Sequence, residues 1–205
     1  MALELQYQQE LLEAGLDEAG RGCLAGPVVA AAVILPNGFH NDLLDDSKKL
    51  SLKNRLELRE IIQEQAISYA VSFINAREIE KINILNASIK AMNEAVSKLH
   101  IKPKFLAVDG NRFQPDRDVA FKTIVKGDGK YLNIAAASIL AKTARDDYMK
   151  KIGNQFPYYQ WEKNQGYPTK SHREAIAKYG PCEFHRKTFK LLPDQLTLDL
   201  VFETK

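Results

Sequence analysis

Apolar and polar positions change their period several times along the chain, and each change marks an element. Residues 12–17 read as a short strand that Gly20 and Gly22 break. Residues 28–35 form an unbroken apolar run rich in β-branched side chains and closed by Pro36-Asn37-Gly38, the pattern of a buried strand. The two can pair as an antiparallel unit. Ser51 is placed to cap a helix over residues 52–66. Residues 67–74 alternate, with Ile67, Tyr69, Val71 and Phe73 on one face, and so predict a strand. Residues 85–99 carry Ile89, Met92, Val96 and Leu99 in helical register. Residues 105–109 and 120–125 predict two more strands, cut by Gly110-Asn111 and by Gly127 and Gly129. An Ala-rich helix follows over residues 134–152, then a shorter one over 170–179 that Gly180-Pro181 stops. Three strands precede the first long crossover helix and two follow it. That order predicts an α/β fold: a mixed sheet of about five strands flanked by helices, with a helical C-terminal part.

At 205 residues the chain suits one domain with a short appendage. The division expected is a domain over residues 1–190, its basic helical end included, and a C-terminal tail over 191–205. Hydrophobic residues at 45% and charged residues at 27% exclude a disordered or fibrous chain. Cys23 and Cys182 are too few for a disulfide scaffold, no N-terminal apolar segment reads as a signal peptide, and the longest apolar run is far too short to span a bilayer. Together these predict a reducing, cytoplasmic setting with no membrane partner. The net charge of +3 hides an asymmetry. Residues 1–100 carry 10 Lys/Arg against 14 Asp/Glu, while residues 101–205 carry 19 against 12. A basic second half fits a polyanionic partner, although solvated surface charge gives the same count.

Asp17 and Glu18 end the first strand, Asp109 ends the fourth, and Asp128 sits in the Gly127-Asp128-Gly129 loop ahead of the long helix. Acids at strand ends followed by glycine turns lie on the rim where α/β sheets bind ligands, but they also serve simply as turn formers. If they converge, their repulsion calls for cations, and oxygen ligands without His or Cys favour Mg²⁺ or Mn²⁺. Adjacent strand residues face opposite ways, so Asp17 and Glu18 can share a site only if the strand ends or bulges there. The glycines at 20, 22 and 26 do not make a dinucleotide-binding turn. Their spacing is one residue too long, and Pro27 with a β-branched run follows where a helix is required.

The stretch Asp17-Glu18-Ala19-Gly20-Arg21-Gly22, continued by Leu24-Ala25-Gly26-Pro27-Val28-Val29, resembles the opening motif of type 2 ribonuclease H, the bacterial ribonuclease HII family. Further matches follow in the family's order: Asp46-Ser47-Lys48-Lys49-Leu50, Val108-Asp109-Gly110, Lys126-Gly127-Asp128, the helix segment from Ala136 through Ser138 to Lys142 with Arg145-Asp146, Gly166-Tyr167-Pro168-Thr169, His172, and His185-Arg186-Lys187-Thr188-Phe189. Each is weak alone; the ordered set, covering residues 12–190, is specific. Related type 3 enzymes carry an additional N-terminal domain and a Lys in the glycine loop, where this chain has Arg21.

The resemblance implies a ribonuclease H-like fold and an endoribonuclease that hydrolyses the phosphodiester 5′ of a ribonucleotide, in an RNA–DNA hybrid or embedded in duplex DNA, leaving a 3′-hydroxyl and a 5′-phosphate. It implies that Asp17, Glu18, Asp109 and Asp128 are catalytic and hold two divalent cations, Mg²⁺ or Mn²⁺. It also implies that Gly20, Arg21, Gly22 and Tyr167 read the ribose 2′-hydroxyl, and a monomer is expected. Lys48, Lys49, Ser138 and Lys142 are further substrate-binding candidates. Lys142 has a rival partner in Asp146 at i+4, and the lysines and arginines over residues 163–190 are candidates for gripping the duplex. Finally, Gln195-Leu196-Thr197-Leu198-Asp199-Leu200 resembles the peptide with which bacterial repair proteins dock on the sliding clamp. The same row of leucines also suits a tail packed on its own domain.

Overall fold

A computed structural model describes residues 3–44 and 50–193. Lys48, Lys49 and the six residues from Gln195 to Leu200 lie outside the described residues. Five strands form one sheet in the order β3-β2-β1-β4-β5. They are β1 (Glu13–Ala19), β2 (Val28–Ile34), β3 (Ser68–Ile74), β4 (Phe105–Asp109) and β5 (Ala120–Ile124). β2 is antiparallel to β1 and β3, while β4 is parallel to β1 and β5. The sheet is therefore mixed, as the element order requires. The helices are α1 (Leu52–Gln65), α2 (Ala76–Lys98), α3 (Leu132–Gly153), α4 (Trp161–Asn164) and α5 (Lys170–Tyr179).

The strand register assigns the two faces. Ala14, Leu16, Ala30, Ala32, Leu106 and Val108 pack under α2 residues such as Ile79, Ala91, Met92 and Val96. Ala31 and Val33 pack on the other side with Leu58 and Ile62 of α1 and the alanines 135–137 of α3. A third cluster joins Met149 and Ile152 of α3 to Trp161, Ala175 and Ile176, so the C-terminal helices dock on the end of α3. Ser51 caps α1 by accepting the Asn54 amide at 3.2 Å, as the sequence predicts.

One expectation needs correction. The second helix begins at Ala76, capped by Asn75, not at residue 85. Asn83 interrupts it at φ 65° and caps the following turn through the Asn86 amide, so the periodicity of residues 85–99 reveals only the second segment. On β3 the bulky set does not mark the more buried face. Tyr69 and Phe73 are exposed, while Ser68, Ala70, Ser72 and Ile74 are buried. α2 presses on this edge strand, and the buried hydroxyls find partners: Ser72 donates to Glu94 at 2.6 Å and Ser68 meets His100 at 3.0 Å.

Candidate active site

β1 and β4 pair only as far as Leu16 opposite Val108, whereas β1 stays paired with β2 through Ala19. Beyond that point the two parallel strands part. No bulge intervenes, since Asp17 and Glu18 face Ala31 and Ala30 in unbroken register. The acids come together because the strand has lost its β4 neighbour. They flank the opening from the two faces of β1, and Asp109, next after Val108, stands on its other side.

The carboxylates press on one another. Burial holds the Asp17 carboxyl well above the usual carboxylate range, and the charges of Glu18 and Asp109 raise it further. The Ser138 hydroxyl and the Glu18 amide, the latter at 2.7 Å, hydrogen-bond Asp17 and oppose the rise. Burial also raises Glu18, whose partner Arg21 at 3.1 Å pulls it back while Asp109 pushes it up. Asp109 is raised by burial and by Asp128, and is fixed by the Gly127 amide at 2.7 Å. Asp128 sits on the short 3₁₀ turn Gly127–Gly129. Among the described residues, no three His, Cys, Asp or Glu side chains are gathered tightly enough to enclose an ion on their own. Crowded, oxygen-only donors at an open rim nevertheless fit Mg²⁺ or Mn²⁺. Mg²⁺ in particular takes few carboxylates and completes its shell with water and substrate phosphate.

From this rim a stripe of α3 residues leads away. Ser138, Lys142 and Asp146 lie one turn apart, spanning about 12 Å. Ser138 reaches Asp17. Lys142 forms an ion pair with Asp146 at 2.6 and 2.9 Å, the i+4 alternative that the sequence left open. Its charge still bears on Cys23, and that of Asp146 on Tyr167. Tyr167 is 42% exposed. Its hydroxyl is hydrogen-bonded with the Cys23 thiol, and the phenol is raised by burial and by Cys23.

The loop bearing Tyr167 is anchored by a buried histidine pair. The Tyr167 amide donates to Asn164 O at 2.8 Å. His172 Nε2 accepts the Trp161 indole N–H at 2.9 Å, so its Nδ1 carries the proton and donates to Tyr167 O at 2.9 Å. His185 Nδ1 accepts the Cys182 amide at 3.0 Å, leaving His185 Nε2 to donate to His172 at 3.2 Å. Both rings are pushed below the ordinary histidine range by burial, His185 to about 4, so the pair is neutral near pH 7.

Two of the candidate duplex-gripping side chains in the basic C-terminal stretch need correction. Arg186 is fully buried, and Arg173 donates to the carbonyls of Lys190 and Leu191. The outward cations there are Lys163, Lys170, Lys178, Lys187 and Lys190. Sequence reasoning missed that Arg145 and Arg186 are buried and donate to backbone carbonyls behind the glycine loop. The signal available was a single Arg interrupting the alanine-rich stretch of α3. Both cysteines are free thiols. No helix among the described residues is long and apolar enough to cross a membrane.

Comparison with known proteins agrees with this geometry. The sequence profile of the ribonuclease HII family matches residues 14–192. The ribonuclease HII of Christiangramia forsetii is 58% identical over 193 residues, covering 94% of this chain and 98% of that protein. The crystal structure of ribonuclease H2 from Pyrococcus horikoshii superposes with a TM-score of 0.75 at 25% identity, covering 87% of this chain and 94% of that one. The ribonuclease HII of Archaeoglobus fulgidus, solved in complex with PCNA, superposes with a TM-score of 0.74 at 29% identity, covering 92% and 99%.

Proposed function

The chain belongs to the ribonuclease HII family and is a metal-dependent endoribonuclease of the type 2 ribonuclease H class; from that premise we propose that Asp17, Glu18, Asp109 and Asp128 form its catalytic centre and hold two divalent cations. The observation that carries this reading is the mutual crowding of these carboxylates where β1 and β4 part. Bound there, Mg²⁺ or Mn²⁺ supplies the charge neutralisation that phosphodiester hydrolysis needs and a water acidic enough to attack. The protein's part is to hold the oxygens ready. Ser138 and the Glu18 amide orient Asp17, the Gly127 amide orients Asp109, and Arg21 steadies Glu18. Hydrolysis falls 5′ of a ribonucleotide, in an RNA–DNA hybrid or in duplex DNA, and leaves a 3′-hydroxyl and a 5′-phosphate. The test is a duplex carrying one ribonucleotide, incubated with and without Mg²⁺. Cleavage only with Mg²⁺, and only 5′ of that ribonucleotide, is expected; cutting of the all-DNA duplex at the same rate would refute the reading.

Ribose recognition belongs to Gly20, Arg21, Gly22 and Tyr167, with Lys142 available to phosphate when Asp146 releases it. The phenol of Tyr167 is partly open to solvent and held in place at both its backbone and its hydroxyl. It suits a group that bonds the 2′-hydroxyl or lies against the sugar. Tyr167→Ala is expected to lower turnover of the single-ribonucleotide duplex at least tenfold, the loss of about one hydrogen bond with its packing, while leaving affinity for all-DNA duplex unchanged. Equal losses in both assays would remove Tyr167 from ribose reading. A sliding clamp is the proposed protein partner, through Gln195, Leu196, Leu198 and Leu200, with the PCNA-bound relative as support. Deleting residues 195–205 should abolish clamp binding with cleavage of free duplex retained; a lowered melting temperature without clamp affinity in the intact chain would overturn this.

A further inference from the structure

The glycine loop is held from behind by two arginines almost without solvent contact. Arg186 is 0% exposed and Arg145 1%. Arg186 donates Nε to Gly26 O at 3.0 Å, Nη1 to Arg21 O at 2.8 Å and Nη2 to Gly20 O at 2.7 Å. Arg145 donates Nε to Pro27 O at 3.1 Å, Nη2 to Ala25 O at 3.0 Å and Nη1 to Gln165 O at 2.8 Å. That last bond reaches the segment two residues before Tyr167, whose ring centroid lies 6.0 Å from the Arg145 guanidinium. Among the described residues, no carboxylate forms an ion pair with either arginine. Two buried guanidiniums without counter-ions, the charge of Arg186 disfavoured by burial and by Arg145, are costly simply as loop fasteners. Their placement needs a reason beyond stability.

We propose that Arg186, backed by Arg145, is a positioning residue for ribonucleotide recognition: by drawing the carbonyls of Gly20 and Arg21 inward, it turns the amides of Arg21 and Gly22 outward toward the ribose. In a planar trans peptide the C=O and the following N–H point to opposite sides, and no peptide bond described here is cis. Gripping Gly20 O fixes the direction of the Arg21 N–H, and gripping Arg21 O fixes that of the Gly22 N–H. Both residues are exposed, so two donors stand side by side at the surface beside the carboxylates. A guanidinium does this because its fork meets several carbonyls in one fixed plane, which an ammonium cannot. Position 20 must be glycine for the same reason. Its φ is +92°, and a Cβ there would lie 2.1 Å from Arg145 Nε. Arg145 ties the Tyr167 segment to the same frame, so the two halves of the ribose reader keep a fixed spacing.

This inference rests on the reading that the glycine loop meets the ribose, and the experiment separates the two. Arg186→Lys and Arg145→Lys are compared with the unaltered protein for kcat and KM on a duplex with one ribonucleotide, for affinity to the all-DNA duplex, and for melting temperature. Arg186→Lys is expected to lower kcat/KM about tenfold or more, the worth of a misplaced hydrogen bond, with all-DNA affinity held within about twofold. Arg145→Lys should show a smaller loss of the same kind. A role confined to stability would lower the melting temperature and leave selectivity for the ribonucleotide intact, which would overturn the proposal. Should the variants not fold, amide exchange on the unaltered protein decides. The Arg21 and Gly22 amides should exchange freely in the free protein and be protected by the ribonucleotide duplex but not by all-DNA duplex. Protection in the free protein, or equal protection by both duplexes, would overturn it. No ribonucleotide-dependent cleavage by the unaltered protein would refute the underlying reading of the site, and this inference with it.

Discussion

Asp109→Asn is expected to lose cleavage by about three orders of magnitude in Mg²⁺ while melting no lower than the parent protein when divalent cations are absent. The loss follows from removing an anionic oxygen donor. Cation-mediated stabilisation of a phosphoryl transition state is worth several kcal/mol, and about 4 kcal/mol corresponds to a thousandfold. The fold should survive because Asn is nearly isosteric and its Oδ1 can still accept the Gly127 amide. Stability should not suffer because the native charge is unfavourable: Asp109 titrates above its ordinary range through burial and Asp128. A carboxyl whose folded pKa is raised favours the folded state below its unfolded pKa. That advantage is lost as pH rises through the folded pKa, so at neutral pH the ionised group is a net burden. The parent without metal should therefore become less stable as pH rises from about 4 toward neutrality, more steeply than Asp109→Asn. Parallel pH profiles of melting temperature, or near-normal turnover by the variant in Mg²⁺, would remove Asp109 from the site.

What the sequence disclosed and what it withheld follow from the range of the interactions involved. Strand alternation and helical period are local, and they located all five strands and the cores of α1, α3 and α5 within a few residues. Ser51, an N-cap signal two residues long, was legible for the same reason. That Asp17 and Glu18 belong to one site was suggested only by the family resemblance, because alternation along β1 argues against it. Only the early end of pairing between β1 and β4 resolves the conflict, and that depends on residues some ninety positions apart. Arg186 shows the opposite failure. A count of basic residues places it on the surface beside Lys187, yet it is buried beneath a loop more than 160 positions earlier. Charge content does not tell an arginine that meets phosphate from one that meets carbonyls. Lys142 lay between these cases, since its i+4 spacing to Asp146 is local and the competing partner was visible before the fold was known.

Gly15→Ala is expected to be the most destabilising single-methyl change in the sheet, and to damage the site without touching any of its acids. Gly15 sits at the centre of β1, paired with Val33 on one side and Ala107 on the other. A Cβ there would meet the carbonyl carbon of Asn133 at 2.2 Å, its oxygen at 2.4 Å and Ile134 N at 2.4 Å. All three are backbone atoms at the start of α3, so no rotamer change relieves the clash. Overpacking a core with flexible neighbours costs about 1–3 kcal/mol; against rigid backbone the upper end or beyond is expected. For a chain of this size about 3 kcal/mol lowers the melting temperature by roughly 10 °C. The same contact sets the site. Asp17 lies on the face of β1 that Gly15 opens to α3, and Ser138, one turn beyond Ile134, hydrogen-bonds that carboxylate. Lifting the helix to make room for a methyl group carries the Ser138 hydroxyl away from Asp17 and the rest of the α3 stripe away from the rim. Cleavage at a temperature where the variant remains folded should therefore fall as well, by about tenfold for one lost hydrogen bond to a charged group. Gly22→Ala, where a Cβ meets nothing within 4 Å, is the control for stability and should melt with the parent. A Gly15→Ala protein that melts within about 2 °C of the parent and cleaves at full rate would show that α3 does not depend on this contact to hold Ser138 against Asp17.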